Sequence, residues 1–128
     1  MSRIVLDASV VLAILNGETG TEKLPLRLLS NATISTVNLA EVQSKLVSRG
    51  LDADDAWDAA TGPVSETEPF TIEQARIAGD LATQTRCLGL SLGDRACLAL
   101  GIVLGAPVYT ADRSWKGLRL GVRIYHIR

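Results

Sequence analysis

Four carboxylates, Asp7, Glu41, Asp94 and Asp112, stand where strands should end or helices begin. Asp7 closes the apolar run Ile4-Val5-Leu6, and Asp112 follows Val108-Tyr109-Thr110. Glu41 and Asp94 each lie early in a helix-forming segment. In a parallel α/β sheet such places share one rim, because the carboxyl ends of the strands and the starts of the following helices meet there. Like charges gathered on that rim repel unless something positive lies between them. Hard oxygen donors suit a divalent cation such as Mg2+ or Mn2+, and such an ion serves the chemistry of phosphate esters.

Each acid also has a plainer role open to it. Asn38-Leu39-Ala40-Glu41 and Ser91-Leu92-Gly93-Asp94 both have capping-box spacing, with the acid reaching back to the residue that opens the helix. Asp7 is placed to cap a helix beginning near Ser9, and Asp112 to hold a turn. Four independent caps, however, need not fall on one rim. Nor do they account for the short polar residues beside them, Ser9, Thr36, Asn38, Ser91 and Thr110, which can orient carboxylates and hold water around an ion.

The elements that must position these residues alternate along the chain. Arg3 to Leu6 reads as a short buried strand, and Val10 to Leu15 as a helix ending near Asn16-Gly17. Glu22 to Leu29 is expected to form a helix, with Pro25 tolerated in its first turn. Thr33 to Thr36 is a second strand. Asn38 is expected to cap a helix running to Ser48 or Arg49, with Leu39, Val42 and Leu46 inward and Gly50 as its stop. Asp52 to Ala60 reads as a helix with an acidic first turn, favourable for its dipole, and Gly62-Pro63 breaks it. Val64 to Glu68 gives a third strand, and Pro69-Phe70-Thr71 opens a helix to about Thr85. Asp94 to Leu104 is the most apolar helix and should be central. Pro107 to Thr110 and Val122 to His126 are the last strands. The expectation is an α/β fold, one domain over residues 1–128, with a mainly parallel sheet of about five strands and helices on both faces.

Composition agrees with one core. With 47% hydrophobic and only 4% aromatic residues, the interior must be aliphatic, and disorder is excluded. A mean hydropathy of +0.22 points to apolar surface used by a partner. No apolar run approaches about 18 residues and the start lacks a signal-peptide pattern, so a cytoplasmic protein without a membrane span is expected. Cys87 and Cys97 belong to no metal-spaced set and read as free thiols. Charge is uneven: residues 1–85 hold 6 Lys or Arg against 12 Asp or Glu, whereas residues 86–128 hold 7 against 2. Asp94 and Asp112 lie in the basic half, so a polyanion there would meet cations beside the acids.

The blocks Ile4-Val-Leu-Asp7-Ala-Ser9, Ser35-Thr36-Val-Asn38-Leu-Ala-Glu41, Leu90-Ser91-Leu-Gly-Asp94-Arg95 and Val108-Tyr109-Thr110-Ala-Asp112-Arg113-Ser-Trp115 resemble a PIN domain. More narrowly they resemble the VapC toxins of type II toxin–antitoxin pairs, in order and spacing over nearly the whole chain. The resemblance implies a three-layer α/β/α sandwich and Mg2+- or Mn2+-dependent cleavage of RNA. It makes Asp7, Glu41, Asp94 and Asp112 the acidic quartet, with Thr110 its accompanying hydroxyl. It also implies a homodimer and a small VapB-type antitoxin whose C-terminal segment wraps the toxin and blocks the site. No further acid follows Asp112, unlike in some relatives, which bears on the number of ions held.

On this reading Asp7, Asp94 and Asp112 are direct metal ligands, and Glu41, on a longer stem, binds through water or acts as general base. Ser9, Asn38 and Thr110 orient the acids. Arg95 and Arg113, each next to a rim acid, meet phosphates or else pair with their neighbours. His126 reads as a packing or surface residue. Trp115 is a core residue before it is a stacking platform, and Trp57 is a candidate for a dimer or antitoxin contact. A haloacid-dehalogenase-like phosphatase would place a second Asp where Ser9 stands. A receiver domain would need paired acids after the first strand and a Lys after the last. The remaining alternative is a PIN-like module that binds RNA or protein without cutting.

Overall fold

The computed structural model describes residues 2–128. Its strands are β1 (Ile4–Leu6), β2 (Ala32–Ser35), β3 (Glu66–Glu68), β4 (Val108–Thr110) and β5 (Ile124–His126). They form one sheet in the order β3-β2-β1-β4-β5, with every pairing parallel. The helices are α1 (Ala8–Asn16), α2 (Leu26–Leu29), α3 (Thr36–Ser48), α4 (Ala53–Thr61), α5 (Ile72–Asp80), α6 (Ala82–Thr85) and α7 (Leu92–Leu104). Single 3-10 turns cover Thr21–Lys23, Arg86–Leu88 and Arg113–Trp115.

The layers follow from strand alternation, since successive side chains point to opposite faces. Ile4 and Leu6 join Val10, Val11, Leu39, Val42, Ala56 and Ala60 in a core under α1, α3 and α4. Val5, between them in sequence, joins Leu81, Leu98, Leu100, Val108 and Trp115 in a second core on the other face. With helices on both faces the chain is a three-layer α/β/α sandwich. β1 has β2 on one side and β4 on the other, so the chain reverses direction across the sheet beside β1. Such a switch point opens a crevice outside the strand ends, and Asp7 immediately follows β1.

Several boundaries differ from the expected ones for local reasons. The segment Glu22 to Leu29 is not one helix. A proline disfavours the helical conformation in the residue before it, so Leu24 leaves the helical region (φ −118°, ψ 72°) and α2 starts after Pro25. The helix expected to reach Thr85 breaks at Leu81, which is drawn into the second core just past the weak helix former Gly79. Asn38 does not cap α3. Ser35 does, its hydroxyl accepting from the Val37 amide at 3.2 Å, and Asn38 lies inside the helix, fully buried. Among the described residues no helix is long and apolar enough to cross a membrane, and both cysteines are free, Cys87 exposed and Cys97 buried.

Candidate active site

Asp7 occupies the N-cap position of α1, yet its carboxylate makes no cap bond to that helix. It is 3% exposed. Its Oδ2 accepts from the Ser9 hydroxyl at 2.6 Å and from the Thr110 hydroxyl at 3.1 Å. Those two hydroxyl oxygens in turn accept backbone amides, Ser9 from Ala111 at 3.0 Å and Thr110 from Asp112 at 3.0 Å. Each hydroxyl has one proton to give, so both protons are committed to Asp7, and the 3.4 Å approach of Ser9 to Thr110 is a contact only. This network, not capping, is what holds Asp7. It ties the end of β1 to the end of β4.

Glu41 is brought in from the first turns of α3 and gripped from two sides. Asn38 spends both amide protons there, one on Glu41 Oε1 at 2.8 Å and one on the Gly93 carbonyl at 2.9 Å. Both acceptors are oxygens, which fixes the amide orientation. Its carbonyl Oδ1 is buried without a partner. A Cβ on Gly93 would overlap the Glu41 carboxylate, so the backbone of α7 approaches as closely as it does because residue 93 is glycine. The sequence reading passed over Gly93. Its signal was a glycine inside a helical first turn, where no left-handed backbone calls for one.

Asp94 closes a capping box on α7: its Oδ2 accepts from the Ser91 amide at 2.9 Å, and the Ser91 hydroxyl accepts from the Asp94 amide. Asp112 accepts from the Ser114 amide at 2.9 Å and caps the turn Arg113–Trp115. The plainer roles of these two acids are therefore real. Even so, among the described residues each of the four carboxylates uses one oxygen in hydrogen bonds and leaves the other free of protein partners.

The electrostatics tie three of the acids together. Burial, aided by the charges of Asp94 and Glu41, pushes the Asp7 carboxyl up to about 6 against the pull of its two hydroxyl donors. Glu41 is exposed as a residue, but its carboxylate is tucked against Gly93. That burial raises its pKa, the Asn38 hydrogen bond opposes the rise, and Asp94 adds to it. Cys97, buried in the next turn of α7, has its thiol raised by burial and then by the charges of Asp7, Asp94 and Glu41. The three acids thus lie near enough to act on one another and on Cys97.

As placed, no three carboxylate, imidazole or thiol groups among the described residues stand close enough to hold an ion. Asp94 is instead bonded to the Ser91 amide and Asp112 to the Ser114 amide. The donor chemistry nevertheless fits a hard divalent cation. It offers free carboxylate oxygens, a buried amide oxygen without a partner, and like charges whose repulsion raises Asp7.

The other expected site residues divide. Arg95 does not reach the acids; its guanidinium donates to the Ala78 carbonyl at 2.8 Å and clamps α7 to α5. Arg113 is exposed and, among the described residues, forms no ion pair. The Thr36 hydroxyl faces away, accepting from the Phe70 amide at 3.1 Å. Trp115 is fully buried and so is no stacking platform, whereas Trp57 is 48% exposed. His126 ends β5 opposite Thr110. Burial and then Lys116 lower its pKa, and Asp112 opposes them.

Comparison with known proteins agrees with this geometry. The PIN domain family model matches residues 4–119. No curated protein matches. Among solved structures, the DNA-bound VapBC from Salmonella typhimurium has a chain that aligns over 100% of both chains, with a TM-score of 0.75 and 17% identity. VapBC-5 from Mycobacterium tuberculosis aligns over 98% of this chain and 99% of that one, at 0.64 and 23%. VapC20 from the same organism, a toxin cleaving the sarcin–ricin loop, aligns over 94% and 98%, at 0.67 and 22%. A parallel β3-β2-β1-β4-β5 sheet, acids at the strand ends beside its switch point and a family match over most of the sequence agree: the chain belongs to the PIN domain family.

Proposed function

We propose that this PIN domain is a divalent-metal-dependent endoribonuclease, the toxin of a toxin–antitoxin pair. The observation that carries the reading is the rim itself: Asp7, Glu41 and Asp94 act on one another electrostatically, and Asp112 follows Thr110, which holds Asp7. Asp7, Asp94 and Asp112 would hold Mg2+ or Mn2+. When bound, such an ion polarises the phosphoryl group and acidifies water.

The residues of the chain supply the rest. Ser9 and Thr110 fix the Asp7 carboxylate through one oxygen, leaving the other without a hydrogen-bond partner among the described residues. Asn38 holds Glu41 with Oε2 free. Partial burial raises the Glu41 pKa, which suits a general base. Glu41 takes the proton of a water whose oxygen bonds to phosphorus while the opposite P–O ester bond breaks, and the leaving oxygen takes a proton from solvent water. The cationic side chain nearest in sequence to the fourth acid, Arg113, meets the phosphate flank.

Support for a toxin role comes from the neighbours in fold, which are chains of toxin–antitoxin complexes. A small VapB-type antitoxin would cover the apolar side chains that α1, α4 and the α3–α4 connection expose, Leu15, Leu51 and Trp57. We place the working enzyme in the cytoplasm as a homodimer. The non-catalytic alternative draws on one observation: Asp94 and Asp112 are turned onto the amides of Ser91 and Ser114. Incubation of single-stranded RNA with wild type and Asp7→Asn, with Mn2+ or with EDTA, decides between them. Cleavage by the wild type with Mn2+ alone supports the nuclease. Binding without cleavage under every condition supports the module.

A further inference from the structure

Along the segment that follows Asp112 and its capped turn lies a groove of about 330 Å³ lined by none of the four acids. Its walls come from Gln84 on α6, Cys87 and Leu88 after it, and the segment 116–120 that follows the capped turn Arg113–Trp115. The volume is at the lower end of small-ligand sites. Two cations, Lys116 and Arg119, stand in it, and no carboxylate lines it. Both are exposed, and among the described residues neither joins an ion pair. The segment that carries them is not loose. Trp115 is fully buried, Leu118 and Leu120 pack against the second core, and Gly117 makes the turn with φ 88°. The two cations therefore sit on a strap pinned by alternate apolar anchors.

The groove is joined to the acid site by the chain itself. Lys116 is four residues beyond Asp112, at most about 14 Å even if extended, and the 3-10 turn between them shortens that. Asp112 and Lys116 both act on the same His126 imidazole. An extended polyanion with one phosphodiester at the acids would lie across this strap.

We propose that the groove between α6 and segment 116–120 binds the RNA backbone beside the scissile phosphate, with Lys116 and Arg119 on phosphodiester oxygens and Gln84 on the adjoining sugar or base. The inference rests on the ribonuclease reading and assigns its substrate track. Single-strand binding through two phosphate contacts contributes about 0.7 each to the dependence of log affinity on log salt.

The test is fluorescence anisotropy with a labelled mixed-sequence single-stranded RNA, in an Asp7→Asn background that leaves the RNA intact. Lys116→Glu/Arg119→Glu and the milder Lys116→Gln/Arg119→Gln are compared with a control carrying the same charge change on the opposite rim, Arg27→Glu/Arg123→Glu. Those two arginines line a separate cavity with Ile4 and Pro107. The expected result is a loss of affinity of about tenfold or more and a salt slope lower by about 1.4 for the groove variants, with the control near the parent. Equal losses in groove and control variants would reduce the effect to net charge and overturn the proposal, as would unchanged affinity in the groove variants. A second reading needs no substitution in the groove: RNA should slow alkylation of the exposed Cys87, and an unchanged rate contradicts the proposal. If wild type cleaves RNA and these results fail, only the track is wrong. If wild type neither binds nor cleaves RNA, the ribonuclease reading falls with it.

Discussion

At the scale of single residues, the site is an arrangement of acids that the fold keeps under electrostatic tension. Asp7 shows it best, since its carboxyl is raised from an ordinary 3.8 to about 6. A carboxylate raised on folding binds protons more tightly in the folded state. Its stabilising contribution is present below the unfolded value and is lost as pH rises through the folded one. In EDTA the wild type should therefore lose stability between pH 4 and pH 6, by on the order of 3 kcal/mol from this residue. Asp7→Asn should melt higher than wild type above that window, with the gap closing toward pH 4. A melting series in which the two proteins track each other at every pH would contradict the account. Gly93 gives a sharper separation of fold from function. A Cβ there meets the far end of a flexible side chain, the Glu41 carboxylate, so the fold can yield. Alanine also favours a helix over glycine by up to about 1 kcal/mol. Gly93→Ala should thus melt no lower than wild type yet cleave RNA about 100-fold more slowly, because Glu41 is displaced. Equal cleavage rates would remove Glu41 from the mechanism.

At the scale of elements, what could be read from the sequence depended on whether local chemistry or tertiary packing decided the outcome. β1 and β4 were readable because each is a short apolar run ended by an acid or hydroxyl. Ser91 with Asp94 as a capping box was readable because capping is a local bond between side chain and nearby amides. The start of α3 was misplaced because Ser35, Thr36 and Asn38 are all good cap residues, and only tertiary contacts separate them. Ser35 ends a buried strand and caps, Thr36 turns to Phe70, and Asn38 is drawn inward to bridge Glu41 and Gly93. Arg95 was misjudged for the same reason, since adjacency to Asp94 says nothing about the side of α7 it leaves by. Ser35→Ala should lower stability by about 1 kcal/mol, as loss of an N-cap does. Denaturant titration that finds no change would mean the Val37 amide has another acceptor.

At the scale of the whole molecule, topology and charge meet at one place. The switch of chain direction beside β1 opens the crevice. Two strands and the starts of two helices deliver the four acids to its rim, and the basic C-terminal third of the sequence passes beside it. The places of the four acids, at strand ends and in the first turns of helices, were legible because such elements alternate along an α/β chain. The conformations of Asp94 and Asp112 were not, because they depend on whether a cation or the Ser91 and Ser114 amides claim the carboxylates. An ion bound only by the folded state stabilises it by mass action, roughly 2.7 kcal/mol at a hundredfold excess over its dissociation constant. The deciding measurement is the rise in melting temperature on adding Mn2+ at neutral pH, for wild type and for Asp94→Ala. The shift is compared within each protein, since loss of the capping box lowers the starting temperature of the variant. A clear rise in the wild type and a much smaller one in Asp94→Ala is the predicted result. Equal shifts in the two, or none in the wild type, would show that Asp94 caps a helix and holds no ion, and would contradict the metal-dependent site.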